Sequence, residues 1–186
     1  MVMCLFRRIR AALRLRPRQA GVTWKSIEYF DPSWELRVVA LCKLMQGEKS
    51  VIDLGCGMQL LRHHLSREVK YFPVDYVRRT DDTIVCDFNA RQFPHIYAEL
   101  AFISGCLEYV EDVPWFVGAI SGACDAVVLS YCSVEKYPDF QLRRSLAWVN
   151  DMKRQDIIDL FRERGFFLCG EVESPVHELL RFQRKS

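Results

Sequence analysis

No run of apolar residues in this chain approaches the ~18–20 needed to cross a bilayer, so a membrane-spanning protein is not expected. None of the eight cysteines (Cys4, Cys42, Cys56, Cys86, Cys106, Cys124, Cys132, Cys169) forms a Cys-x-x-Cys pair, and no zinc-type spacing is present. Most lie inside strand-like apolar segments such as Val85-Cys86 and Leu168-Cys169, as buried reduced thiols would, which implies a cytoplasmic setting. Cys56 and Cys106 are the only two that fall where a reactive thiol would be useful. Internal repeats and low-complexity segments are also missing. A large charge of either sign is absent too: the net charge is +2 over 186 residues.

That small charge is unevenly spread. Arg7, Arg8, Arg10, Arg14, Arg16 and Arg18 fall in the first twenty residues, with no acid among them. With those six removed from a total of +2, the rest of the chain carries −4. A mildly acidic body gives no electrostatic footprint for nucleic acid, and none is expected as a partner. The arginines also interrupt any signal-peptide core. Met3, Leu5, Phe6, Ile9, Leu13 and Leu15 leave two readings of this arm: an interfacial helix making weak contact with an anionic membrane surface, or a basic arm that is frayed or packed on the domain. The expected organisation is a basic arm over residues 1–20 and one domain over 21–186, long enough to bury a sizeable core.

What is present begins with Ser50-Val51-Ile52-Asp53-Leu54-Gly55-Cys56-Gly57. A short apolar run rich in β-branched residues predicts a buried parallel strand over 50–54. Gly55 and Gly57 then form a turn in which backbone lies bare to a ligand. Leu60, Leu61 and Leu65 predict a helix over about 58–66, whose N-terminus points free N–H groups at that ligand. Further strands are predicted at 69–75, 83–87, 100–104, 125–130, 166–172 and 177–182. Helices are predicted through Arg37–Leu44, from about Glu111 through Ile120, and from about Asn150 or Lys153 to Arg164, with Gly165 as its stop. The stretch from Tyr131 to Trp148 reads as a polar, aromatic loop. The order predicts an α/β, Rossmann-like, mostly parallel seven-stranded sheet flanked by helices, closing on a C-terminal antiparallel strand pair.

Ligands of such sheets bind outside the carboxyl ends of the strands. That edge collects Gly55-Cys56-Gly57, Asp75, Asp87-Phe88 and Gly105-Cys106-Leu107. Asp75, 22 residues after Asp53, suits the diol of a ribose, because a carboxylate accepts two charge-assisted bonds there. Asp87 either accepts from the exocyclic amine of adenine or caps the segment beginning at Asn89. Phe88 and Leu107 are placed to sandwich a base. A dinucleotide enzyme also places an acid about twenty residues past its glycine turn, but its fingerprint asks for glycine where Leu60 stands. A nicotinamide oxidoreductase is therefore disfavoured.

With these residues the chain resembles the class I S-adenosylmethionine-dependent methyltransferases over about Trp24 to Phe182. Val51 to Gly57 is similar to that family's first motif, Val74-Asp75 to its second, Cys86-Asp87-Phe88 to its third, and Gly105-Cys106-Leu107-Glu108-Tyr109-Val110 to the segment after strand four. The resemblance implies S-adenosylmethionine as cofactor, held by Asp53, Gly55, Cys56, Gly57, Asp75, Asp87, Phe88, Gly105 and Leu107. Gln59 stands where the family's first motif usually has a third glycine, and Glu99 takes the place of the acid before strand four. Arg37 is a candidate partner for the methionine carboxylate, and Tyr29 or Trp34 for a lid. Glu108, His95 and Tyr131 are the candidate bases for a hydroxyl or amine acceptor. The expected acceptor is a small molecule or a glycan- or lipid-linked intermediate, facing the arm to Trp34 and the 131–148 loop, where Arg143 and Arg144 suit an anionic group. The alternative is a catalytically degenerate, methyltransferase-like binding or regulatory protein.

Overall fold

The computed structural model describes residues 31–185. The arm over 1–20 and the lid candidate Tyr29 lie outside them. Seven strands form one sheet: β1 (Ser50–Leu54), β2 (Lys70–Asp75), β3 (Ile84–Val85), β4 (Ala98–Ser104), β5 (Cys124–Tyr131), β6 (Phe166–Val172) and β7 (Glu178–Arg184), in the order β3-β2-β1-β4-β5-β7-β6. The pairs among β1 to β5 are parallel, while β7 runs antiparallel between β5 and β6. The sheet is thus mixed, mostly parallel and closed by an antiparallel pair, as the order of segments predicts.

Period-two alternation divides the core between the two faces. Ile52, Leu54, Ala101, Ile103, Val127, Leu129, Leu180 and Phe182 pack on one face against Phe116 of α2 (Val113–Ser121) and Phe161 of α4 (Arg154–Glu163). Val51, Leu100, Phe102, Ala126, Val128 and Leu179 pack on the other against Val38 and Leu41 of α1 (Ser33–Cys42). β1, β4 and β5 are buried on both sides, which explains their unbroken apolar runs. Asp112 caps α2 by accepting from the Trp115 N–H at 3.1 Å, with Pro114 in the first turn. Gly165, at φ +82°, ends α4 as expected.

Three elements differ from expectation. In place of a helix over 58–66 there is a single 3-10 turn at Leu60–His64. The glycine turn and Gln59 use left-handed backbone up to the start of that turn, and Leu65 is already extended, so the connection to β2 has room for no more. β3 shrinks to two residues because Thr80–Thr83 form a side-chain-bonded turn instead. Within the stretch expected to be a loop lies a short helix, α3 (Phe140–Ser145), started by Asp139, whose carboxylate accepts from the Leu142 N–H at 3.0 Å.

Candidate functional site

Because β1, β2, β4 and β5 are parallel, their carboxyl ends share one edge, and the register Tyr131↔Glu178 brings the start of β7 to the same edge. The corner at β1 and β2 is built mostly of backbone. The Val74 carbonyl accepts from the N–H groups of both Gly55 (2.8 Å) and Cys56 (3.0 Å), which folds the turn back over β2. Asp75, 5% exposed, closes the corner: Oδ2 accepts from the Gly57 N–H at 2.8 Å and Oδ1 from the Val77 N–H at 3.0 Å. Each oxygen keeps a lone pair for another donor.

Two glycines are required by their neighbours. Gly55 has φ +80°, and a methyl group there would stand 2.6 Å from Cβ and Sγ of Cys106. Gly105 has φ +65°, and a methyl group there would stand 2.5 Å from Nη2 of Arg37. Arg37 reaches this place from α1: its Nε donates to Ser104 Oγ at 3.0 Å, while the Gly105 N–H donates to Ser130 Oγ at 2.8 Å. Its guanidinium also lies 5.8 Å from the ring of Trp34. The corner therefore juxtaposes bare backbone, one carboxylate and one guanidinium.

Asp53 lies beneath the turn, buried, accepting from the Tyr71 hydroxyl at 2.6 Å. Burial and the neighbouring Asp75 charge push its carboxyl up to about 7, against the Tyr71 bond. Burial likewise pushes the thiols of Cys56 and Cys106 up, so neither stands as a thiolate nucleophile at neutral pH.

The remaining expected residues are distributed differently. Phe88 and Leu107 do not flank an open slot. The Phe88 ring packs at a 45° tilt against Phe116, 4.7 Å between centroids, and Leu107 is fully buried, because both side chains complete the core above α2. Asp87 takes the capping role, accepting from the Asn89 N–H at 3.0 Å. His95 is exposed and sits three residues before β4, where the chain has already crossed to the opposite edge of the sheet. Tyr131 is fully buried: its hydroxyl donates to Asn150 Oδ1 at 2.7 Å and accepts from the Met152 N–H at 2.9 Å and from Arg143 at 3.1 Å. Glu108, 1% exposed, accepts at Oε1 from the Cys132 N–H at 3.0 Å.

Arg143 is also not a surface group. It is 0% exposed and donates to Asp151, the Cys132 carbonyl, the Tyr131 hydroxyl and the Asn150 carbonyl. It fastens the post-β5 segment from within and is closed to any ligand.

Two further residues belong to this edge, Gln59, noted in the sequence only for the glycine it replaces, and His177, which sequence reasoning passed over. Gln59 holds left-handed backbone (φ 57°), and its side-chain amide donates to Thr80 Oγ1 and to Asp82 Oδ1 at 3.0 Å, tying the first turn to the loop after Asp75. Arg62 pairs with the same Asp82. His177 precedes β7 at the tip of the last hairpin. Its only sequence signal was a histidine beginning a strand just past Ser174-Pro175.

No protein-family model matches the chain, and no curated protein matches it. Solved structures do. The 1,6-didemethyltoxoflavin N1-methyltransferase of Burkholderia thailandensis, solved with that substrate and S-adenosylhomocysteine, superposes with TM-score 0.60 at 13% identity, over 88% of this chain and 81% of that one. The N-methyltransferase NodS of Bradyrhizobium japonicum, also holding S-adenosylhomocysteine, gives 0.62 at 12% over 88% and 92%. The magnesium protoporphyrin IX methyltransferase of Synechocystis gives 0.59 at 14% over 82% of each chain. The chain spans 55% of the length of LaPhzM, which it matches with TM-score 0.62. The fold is that of the class I methyltransferases. Among the described residues no helix is long and apolar enough to cross a membrane.

Proposed function

We propose that this protein is an S-adenosylmethionine-dependent methyltransferase acting on a small molecule. The observation that carries the proposal is the closed corner at Asp75: a nearly buried carboxylate, held on the Gly57 N–H, with lone pairs left for a diol and bare glycine backbone beside it. The residues present fit the cofactor: Asp75 offers acceptors for a diol, and Arg37, packed so closely on Gly105 that a Cβ there would stand 2.5 Å from its Nη2, offers a cation for a carboxylate. Asp75 would take the ribose hydroxyls. The turn from Gly55 through Cys56 to Gly57 and the backbone of Gly105 would line the amino-acid end, with Arg37 toward its carboxylate and Asp53 supporting the turn from beneath. Asp87, with the backbone of Phe88 and Leu107, would border the base.

When bound, the cofactor supplies a methyl group already activated as a sulfonium. The chain's part is then alignment and exclusion of water, which provides on the order of 7–11 kcal/mol of a displacement barrier. The free thiols of all seven described cysteines support a reducing, cytoplasmic setting.

Calorimetric titration with S-adenosylhomocysteine tests the proposal. Binding is expected in the micromolar range and is expected to weaken at least ~10-fold in Asp75→Ala, which leaves the diol unpaired. Absence of binding by the intact chain refutes it. Gln59 favours one second reading, a protein that binds the cofactor without turnover, because the turn carries a bulky side chain where backbone is left-handed. Transfer of label from methyl-labelled cofactor to any small-molecule acceptor rules that reading out.

A further inference from the structure

The outward face of α1 takes no part in the cofactor corner. Val38 and Leu41 turn inward to the sheet and Arg37 reaches Ser104, so the opposite stripe, at helical spacing, is Leu36, Val39 and Lys43. Leu36 is 72% exposed, and Val39 and Lys43 are exposed with it. The 3-10 turn at Leu60–His64 covers the same face of the sheet, since Leu60, Leu61 and Leu65 join the cluster that holds Val38 and Leu41. It lies against α1, with His64 Nε2 3.4 Å from Glu35 Oε1. Its exposed side chains are cationic or titratable, Arg62 and His63, and exposed Arg67 follows. The acids beside them are Glu35, Glu68 and Asp82, of which Asp82 is engaged by Arg62 and Glu35 by His64.

Charge is graded along the chain toward this face. Residues 1–20 carry six arginines and no acid, with Met3, Leu5, Phe6, Ile9 and Leu13 between them, and residues 21–30 join that arm to the start of α1. From residue 76 to residue 185, by contrast, 17 acids stand against 13 lysines and arginines.

We propose that the outer face of α1, together with residues 1–20, binds the surface of an anionic bilayer. The binding does not depend on the methyltransferase reading.

The chemistry of the face selects this partner over three others. Exposed leucine and valine flanked by cations suit an interface in which apolar side chains enter the headgroup region and cations meet anionic lipid. The acidic remainder of the chain is repelled by the same surface, which orients the protein with α1 toward it. Nucleic acid would engage the cations and leave Leu36 and Val39 without a role. Residues 1–20 folded over α1 would bring six arginines against a flank that already holds Lys43, Arg62 and Arg67, a like-charge contact. A second copy seated on the same face would meet the same repulsion from its own Lys43, Arg62 and Arg67.

The test is co-sedimentation of the full chain with vesicles of phosphatidylcholine alone and of phosphatidylcholine with about one third phosphatidylserine. Binding is expected to be at least ~10-fold tighter to the anionic vesicles, and to fall at least ~10-fold as salt rises from about 0.05 to about 0.5 M. Leu36→Glu with Val39→Glu, and separately Arg10→Glu with Arg14→Glu, are each expected to weaken it at least ~10-fold. In the α1 pair the Tm should stay within about 3 °C, because both side chains face solvent, and the affinity for S-adenosylhomocysteine should not change. Equal binding to the two kinds of vesicle, or either pair of substitutions leaving sedimentation unchanged, would overturn the proposal. So would a larger fall in Tm or a change of solution mass in the α1 pair, which would show that the chain itself or a second copy covers the face. Polyuridylate that binds as tightly as the anionic vesicles and displaces them would assign the surface to nucleic acid and overturn it as well. Failure to bind S-adenosylhomocysteine leaves the vesicle result standing and bears on the methyltransferase reading alone.

Discussion

The two halves of the carboxyl edge are built by different means. The corner at β1 and β2 is mostly backbone: two N–H groups share the Val74 carbonyl, and one aspartate at the strand tip holds a third. The half at β4, β5 and β7 is built of long side chains that reach residues 11 to 41 positions away in the chain, such as Arg143 to Cys132 and Tyr131, and Lys136 to Ser174 and His177. A backbone site depends on glycines and on the register of neighbouring strands. A side-chain site depends on a roof held in place from inside.

The largest effect is expected from removing that roof's fastener. Arg143→Leu leaves Asp151 to the exposed Arg144 alone and strips the buried Cys132 and Asn150 carbonyls of a charged donor. Breaking a buried charge network on one side costs about 3–5 kcal/mol. Thermal unfolding should show a Tm lower by roughly 6–20 °C for a chain of this length. Affinity for S-adenosylhomocysteine, measured below the new Tm, should stay within about 2-fold, because the β1–β2 corner shares none of these bonds. A parallel loss of cofactor affinity would break the comparison and make the edge one cooperative unit.

The converse substitution is Gly55→Ala. Left-handed backbone costs a non-glycine residue about 1–2 kcal/mol, and the contact with Cys106 adds about 1–3 kcal/mol of overpacking. A Tm drop of roughly 4–20 °C is expected, together with loss of S-adenosylhomocysteine binding, since the displaced turn withdraws the Gly57 N–H from Asp75. A variant that kept full affinity would show that the turn is not where the ligand lies.

This difference in construction also decides what could be read from residue order. The sheet, its parallel majority and the closing pair follow from apolar runs and from the lengths between them. The glycine turn and Asp75 are legible because a turn that needs positive φ and a carboxylate at a strand tip leave local signatures. Phe88 and Leu107 were misplaced for a physical reason: position at a strand end does not say whether a side chain turns out over the edge or down into the core. His95 follows the same logic one element later, because the short segment after β3 carries it to the far edge. Tyr131 and Arg143 read as polar loop groups, yet each satisfies the other inside the protein. That pairing spans 12 residues and starts from an unforeseen helix that carries Arg143, and nothing in residue spacing encodes it. α3 itself left one trace, the capping Asp139.

The halves should also respond to pH with opposite sign. Asp53, at the first corner, has a folded value of about 7 above its ordinary 3.8, so the folded state holds the proton more tightly. Its contribution is therefore favourable at low pH and declines as pH rises from about 4 to 7. His177, at the second, has a folded value of about 3 below its ordinary 6.5, so the unfolded state binds more protons in between. Its contribution rises with pH over about 3 to 6.5 and is lost as pH falls. In Asp53→Asn the plot of Tm against pH should become steeper upward across the acid range, and in His177→Asn it should flatten or turn down. Unchanged slopes in both variants would remove the asymmetry.

The smallest effect separates the two kinds of construction at a single residue. Gln59 is where the turn of the backbone-built corner is tied by a long side chain to the loop after Asp75. Gln59→Gly relieves about 1–2 kcal/mol of left-handed backbone cost and forfeits two hydrogen bonds, to Thr80 and Asp82, each of about 0.5–1.5 kcal/mol. These nearly cancel, so the Tm should move by no more than about 3 °C in either direction. The affinity for S-adenosylhomocysteine should nonetheless weaken a few-fold, about 2- to 5-fold, because the 76–83 loop would no longer be moored to the turn that faces Asp75 and its ordering would fall to the ligand. Unchanged or tighter binding would mean that backbone alone shapes the corner, and that Gln59 stabilises the loop without serving the site.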